Sequence, residues 1–242
     1  MSDKIKTAVI LAAGMGSRLG ADNHNKPKGL IEIGPKPIIH ESIEKLKKEN
    51  IKKIILVTGY QDQLYNSYVE KNFSNITIVK NLEFQTTSTL YSLSKVRNLI
   101  EEDFLLLESD LIYDFDALNQ IISCQSENVV LLSKESGSGD EVYVETRNNN
   151  LLNMSKDLNK LGSKARGEFV GINKISNLLF LKMMNLFDNI ENKESLTYEE
   201  DALCYCAKFM DIECLKLNDL LWSEIDTKEH LARAKEIYKL IN

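Results

Sequence analysis

The sequence predicts an α/β fold: a mostly parallel central sheet flanked by helices, with a small antiparallel flap. Three observations carry this. Short apolar runs rich in Val, Ile and Leu recur at 8–12, 53–58, 103–112 and 128–132, and their unbroken character is that of strands covered on both faces. Among them stand segments with apolar positions at helical spacing, such as Ile38, Ile39, Ile43 and Leu46 behind Pro37. The 242 residues, 43% of them hydrophobic, suffice for one α/β domain over 1–242, and no linker divides them.

Taken in order, Ala8-Val-Ile-Leu-Ala12 is a buried strand that runs into Gly14 and Gly16. Those glycines allow a sharp turn that presents bare backbone N–H groups to an anion. A helix follows to about Asn50, then the strand at 53–58, ended by Gly59-Tyr60. Strand, loop, helix, strand is the start of a parallel sheet. Residues 61–70 are helical, 76–79 form a third strand, and 90–100 return to helical spacing. The most strand-like stretch, 103–112, carries Glu108 and Asp110. In open α/β sheets ligands sit beyond the carboxyl ends of strands, where these two acids fall. A helix at 116–123 and a strand at 128–132 lead into residues 133–164, whose glycines and asparagines surround short strands at 141–145 and 151–154 and predict the flap. Beyond it come a strand at 168–172, helices at 177–188 and 197–209, a strand at 212–217, and a final helix to Ile241 capped by Asp226-Thr227.

The balance of 30 basic against 36 acidic residues, net charge −6, and the lack of a Lys/Arg track argue against nucleic acid as a partner. Neither a leader-like segment nor a run of roughly 18 apolar residues is present, so cytoplasm and no membrane are expected. Cys124, Cys204, Cys206 and Cys214 form no CxxC pair and read as buried reduced thiols. His24, His40 and His230 are scattered, without partners at ligand spacing.

The opening loop admits few ligands. A dinucleotide fingerprint needs a third glycine where Leu19 stands and an acidic residue ending the second strand, and a Walker A string is absent. What remains is Leu11-Ala-Ala-Gly-Met-Gly-Ser-Arg-Leu19 with Pro27-Lys28 beyond it. This resembles the signature of the nucleotidyltransferases that activate sugar phosphates and related phospho-compounds with NTP. The resemblance runs along the chain through Ile54-Ile-Leu-Val-Thr-Gly-Tyr60, Leu105-Leu-Leu-Glu-Ser-Asp110 and Trp222-Ser-Glu-Ile-Asp226. It implies a single-domain Rossmann-like nucleotidyltransferase (GT-A-like) fold. The chain has no hexapeptide-repeat β-helix, which argues against a bifunctional sugar enzyme. Thr87-Ser-Thr-Leu-Tyr-Ser-Leu93, Glu108-Ser-Asp-Leu111 and Gly167-Glu-Phe-Val-Gly171 resemble the branch that uses CTP to activate aminoalkyl compounds, nearer its 2-aminoethylphosphonate than its phosphocholine members.

On that resemblance, Leu11, Ala12, Ala13, Gly14, Met15, Gly16 and Ser17 bind nucleotide, with Ser88 and Thr89 where relatives read the pyrimidine. Arg18 and Lys28 are the catalytic cations, Lys26 a solvated neighbour. Asp110 and Asp226 are the expected Mg²⁺ ligands, although an aspartate before a helix also serves as an N-cap. The amine end of the acceptor would meet carboxylates or aromatic faces, for which Glu168, Glu200, Asp201, Tyr198 and Trp222 are candidates, and Lys164 or Arg166 would take its phosphonate. The expected partners are CTP and a small phosphonate or phosphate acceptor, and a homodimer is left open. Two rival readings stand beside this: a sugar-1-phosphate nucleotidyltransferase, and a non-catalytic nucleotide-sensing module.

Overall fold

A computed structural model describes residues 5–19, 26–162, 165–190 and 198–241, without the side chains of Ser17, Ala165 and Arg166. Lys164, expected to bind acceptor, lies outside the described residues.

Strands β1 (Thr7–Ala12), β2 (Lys53–Thr58) and β3 (Ile76–Lys80) pair in parallel, and β4 (Phe104–Glu108) pairs in parallel with the other side of β1. Their unbroken apolar character has the expected cause, burial on both faces. Ala8, Ile10 and Ala12 enter one core with Ile39, Ile43 and Leu46 of α1 (Ile38–Lys48) and Tyr65 and Val69 of α2 (Asp62–Asn72). Val9 and Leu11 enter the opposite core, with Leu90 and Leu93 of α3 (Thr89–Ser94). The helix expected at 90–100 is shorter, and the chain continues in turns to Leu99.

After β3 the chain crosses to the far side of β1, which makes the carboxyl ends of β1 and β4 a topological switch point, where a crevice opens. The glycine loop leaves β1 there, and Glu108 and Asp110 leave β4 there; Leu11 and Glu108 are register partners.

Beyond β4 the sheet is mixed, which corrects the mostly parallel expectation. β9 (Ala165–Ile175) lies antiparallel between β4 and β6 (Val129–Ser133), and β10 (Glu213–Leu217) resumes parallel pairing with β6. The hairpin β7 (Tyr143–Arg147) and β8 (Asn150–Ser155) joins the same sheet, with β8 against β10 and β7 against the start of β9. An apolar strand reads alike in either direction, so the residues of β9 do not disclose its orientation. Helices α4 (Asp116–Ser123), α5 (Asn177–Asn189) and α6 (Glu199–Cys206) complete the cover, and the described part of the helix expected at 197–209 is confined to α6.

A second, two-stranded sheet was not foreseen. β5 (Leu111–Tyr113) pairs antiparallel with β11 (Trp222–Glu224), with Leu111 opposite Glu224. Three-residue strands are too short to show a period. This ribbon places Asp110, one residue before β5, beside Asp226, two residues after β11. The last helix, α7 (Lys228–Ile241), is capped by Thr227, whose hydroxyl accepts from the His230 amide at 3.2 Å. Asp226 is thereby left for another task. No described helix is long and apolar enough to cross a membrane.

Candidate active site

A cleft of about 980 Å³ opens at the switch point, lined by the glycine loop, the end of β4, the middle of β9, the loop before α3, the start of α6, the hairpin and β11. Most of the expected site residues line it: Leu11, Ala13, Gly14, Met15, Gly16, Arg18, Lys28, Ser88, Thr89, Asp110, Glu168, Asp201, Trp222 and Asp226. Ala12 is buried at the end of β1, behind the loop.

The centre of the cleft is an ionic network drawn from four distant segments. Gly16 adopts φ +61°, and a Cβ there would stand 2.8 Å from Lys28 Cγ, so only glycine lets Lys28 lie across the loop. Lys28 Nζ donates to Asp110 at 2.7 Å and also to Asp226. Arg18 donates to Asp226 at 2.9 Å and to Asp140 at 2.5 Å, and Lys156 holds the other oxygen of Asp140 at 2.6 Å. Burial works against the charge of Lys28, but Asp110 and Asp226 overcome it and raise its pKa. Asp140 is likewise held below the usual carboxylate range, because Lys156 and Arg18 outweigh its partial burial. Lys28, Asp110 and Asp226 are each mostly buried, so these pairs are less screened than surface ones.

Acids outnumber the cations here. Glu224 is pushed up to about 8 by burial first and then by the charges of Asp226, Asp110 and Asp140. Its folded value lies above the ordinary one, so between the two the folded chain binds more protons than the unfolded chain. The contribution of Glu224 to stability is therefore fullest below the ordinary carboxylate range and is lost as pH rises through about 8. Thermal unfolding without metal should show a midpoint falling across this window, and Glu224→Gln should flatten the fall; a midpoint rising with pH would contradict the assignment.

The aspartates at the ribbon's end pass a simple test as a cation site. Their oxygens converge on one ammonium, and among the described residues Glu224, Asp226 and His230 offer donor atoms all within 4.8 Å of one another. A set dominated by carboxylate oxygens suits a hard cation such as Mg²⁺. His230, given no role from sequence, is buried against this set, with Nδ1 3.9 Å from Glu224.

Other expected residues have prior engagements. Glu168 accepts from the Ser136 amide at 2.5 Å and its hydroxyl at 3.0 Å, tying down the loop that carries Asp140. Asp201 accepts from the Tyr198 amide at 3.0 Å and caps α6. Thr89 accepts from the Glu199 amide at 3.3 Å, which ties α6 to the loop of Ser88. Lys26 lies 3.7 Å from Glu32. Lys156 and Glu199 line the cleft without having been anticipated; Lys156 had only its hairpin position as a signal, Glu199 only its place in an acidic helix start.

A glycine cradle, two cations and paired aspartates thus meet at the switch point of an α/β sheet. The chain belongs to the MobA-like NTP transferase family, whose domain matches residues 8–171. It is 31% identical over 211 residues to the bifunctional protein GlmU of Methanococcus vannielii, covering 85% of this chain and 49% of that one. It is 28% identical over 129 residues to the CMP-5'-(3-aminopropyl)phosphonate synthase of Streptomyces rubellomurinus, covering 52% and 20%. The chain spans about half the length of the GlmU relatives it matches. Among solved structures, the CTP:phosphocholine cytidylyltransferase LicC of Streptococcus pneumoniae superposes with a TM-score of 0.78 at 22% identity, covering 97% of this chain and all of that one, a likeness of fold.

Proposed function

We propose that the protein transfers a cytidylyl group from CTP to a small aminoalkyl phosphonate, CTP and 2-aminoethylphosphonate giving CMP-2-aminoethylphosphonate and pyrophosphate, with phosphocholine the next acceptor. The observation that carries this is the convergence of Arg18, Lys28, Asp110 and Asp226 on one point of a cleft floored by a glycine loop. The proteins named above include a CMP-5'-(3-aminopropyl)phosphonate synthase and a CTP:phosphocholine cytidylyltransferase, which supports the choice of CTP and of acceptor.

An oxygen of the phosphonate attacks the α-phosphorus; one P–O bond forms, the bond to the bridging oxygen breaks, and pyrophosphate leaves. Such a transfer asks for alignment and charge neutralisation rather than a covalent intermediate. Backbone N–H groups at Ala13 to Ser17, with Arg18, take the β- and γ-phosphates. Lys28 takes the α-phosphate and meets the charge that develops there. Lys156, across from Arg18, is placed with Lys164 among the candidates for the phosphonate. Ser88 and Thr89 face the pyrimidine. Asp110 and Asp226 would hold Mg²⁺, which when bound supplies positive charge against the triphosphate and the acceptor. The attacking oxygen is already ionised near neutral pH, so no side chain acts as general base.

Pyrophosphate release measured over four nucleoside triphosphates and three acceptors (2-aminoethylphosphonate, phosphocholine and glucose-1-phosphate) tests the reading. Turnover is expected with CTP and an aminoalkyl acceptor. Fast turnover with glucose-1-phosphate alone would replace it with a sugar-nucleotide activity, and CTP binding indifferent to Mg²⁺ without any turnover would leave a nucleotide-sensing module.

A further inference from the structure

We propose that Glu108, Glu199 and Glu200 form the acceptor's amine subsite, and that they select a primary ammonium over a quaternary one. This rests on the reading of the cleft as that of a transferase with an aminoalkyl acceptor, and deepens it.

The three carboxylates come from two elements, Glu108 from the end of β4 and the other two from the first turn of α6, and all line the cleft. Glu199 is 1% exposed. One carboxylate oxygen of Glu199 and one of Glu200 are buried without any hydrogen-bond partner. A buried acceptor atom left unpaired is costly, and a cleft that keeps two of them is built for donors that arrive with a ligand. Space for Glu108 is made by the backbone opposite: Gly171 stands at φ +82°, and a Cβ on it would lie 2.9 Å from Glu108 Cδ.

The chemistry of the missing ligand follows from the set. Three clustered carboxylates, none of which has an ion pair among the described residues, call for positive charge. A primary ammonium brings three N–H donors, the partners that the buried oxygens of Glu199 and Glu200 lack. A trimethylammonium brings none, and would leave the same oxygens unpaired against methyl groups. Quaternary ammonium is recognised by cages of aromatic faces. The rings that line this cleft, Tyr65, Phe84, Phe169, Tyr198 and Trp222, make no ring pair with one another.

The test uses three acceptors of one skeleton with CTP and Mg²⁺: 2-aminoethylphosphonate, its N,N,N-trimethyl derivative, and ethylphosphonate. For the wild type, kcat/KM for the primary amine is expected to exceed that for the trimethyl compound by about 100-fold or more, as for a site that loses its hydrogen bonds. Glu200→Gln should narrow the ratio of 2-aminoethylphosphonate to ethylphosphonate by roughly 10- to 100-fold, the worth of a hydrogen bond to a charged group. Its melting temperature should equal or exceed that of the wild type, because a clustered charge is removed; a purely structural glutamate would give the opposite. Equal use of the primary and trimethyl compounds by the wild type overturns the inference while leaving the aminoalkyl class standing. So does a Glu200→Gln enzyme slowed by one factor on all acceptors. Turnover with none of the three, but with glucose-1-phosphate, overturns the underlying reading instead. If Glu200→Gln fails to fold, the wild-type comparison decides alone.

Discussion

Lys28→Ala should lower kcat by about 10²- to 10³-fold, the cost of removing one preorganised group that meets developing charge. The effect is expected mainly in kcat, because Lys28 is assigned to the α-phosphate, where charge changes during reaction, while Arg18 and the loop amides remain to bind the rest of the triphosphate. The same change acts on the resting protein. Lys28 Nζ stands between Asp110 and Asp226, and without it two mostly buried carboxylates face each other with only Arg18 nearby. Orphaning buried charges in this way costs about 3–5 kcal/mol, so the metal-free variant should melt well below the wild type. Mg²⁺ should recover part of that loss in the variant, since the cation takes the place the ammonium held. Single-turnover rates and thermal unfolding with and without Mg²⁺ check both halves. A variant that turns over at near-normal rate removes Lys28 from the chemistry, and one whose stability is indifferent to Mg²⁺ removes the aspartates from the metal.

How much of this could be read beforehand depends on the range of the interactions involved. The loop from Leu11 to Lys28 was legible because its parts are local: a buried strand, two glycines and cations at short spacing. In the structure Lys28 passes close over Gly16 and reaches Asp110. The orientation of β9 was not legible, since Glu168 to Ile175 show the same apolar pattern whichever way the strand runs. Nor was the β5–β11 ribbon, whose three-residue strands are too short to show a repeating pattern, although it sets Asp110 beside Asp226. Glu200 stood among the sequence candidates for the amine end, whereas Glu199 did not, and it is the packing of α6 on the loop of Thr89 that buries Glu199. Lys156 and Asp140 are sixteen residues apart, with nothing between them to mark a pair. Short-range chemistry was visible; long-range pairing that places an ordinary residue in the cleft was not.

Asp226→Asn separates the metal proposal from a purely structural account of the same residue. Asp226 is 4% exposed and binds both Lys28 and Arg18, a pattern that alone would fit a structural anchor. The cap of α7 does not depend on it, because Thr227 supplies that hydrogen bond. Neither cation is orphaned by the change, since Lys28 keeps Asp110 and Arg18 keeps Asp140. The stability loss should therefore be small, about 1 kcal/mol, the net worth of an ordinary hydrogen bond. Turnover, in contrast, should fall by about 10²- to 10³-fold, because one of two anionic ligands to a cation that prefers carboxylate oxygen is gone. The Mg²⁺ concentration needed for half-maximal rate should rise at the same time, since asparagine keeps a neutral oxygen in place. Initial rates titrated with Mg²⁺, alongside thermal unfolding, read all three. A stable variant with wild-type rate and wild-type Mg²⁺ dependence would make Asp226 an anchor for Lys28 and Arg18 only. A variant that loses rate with no change in its Mg²⁺ requirement would assign Asp226 to the positioning of those two cations, and leave the metal to Asp110 and Glu224.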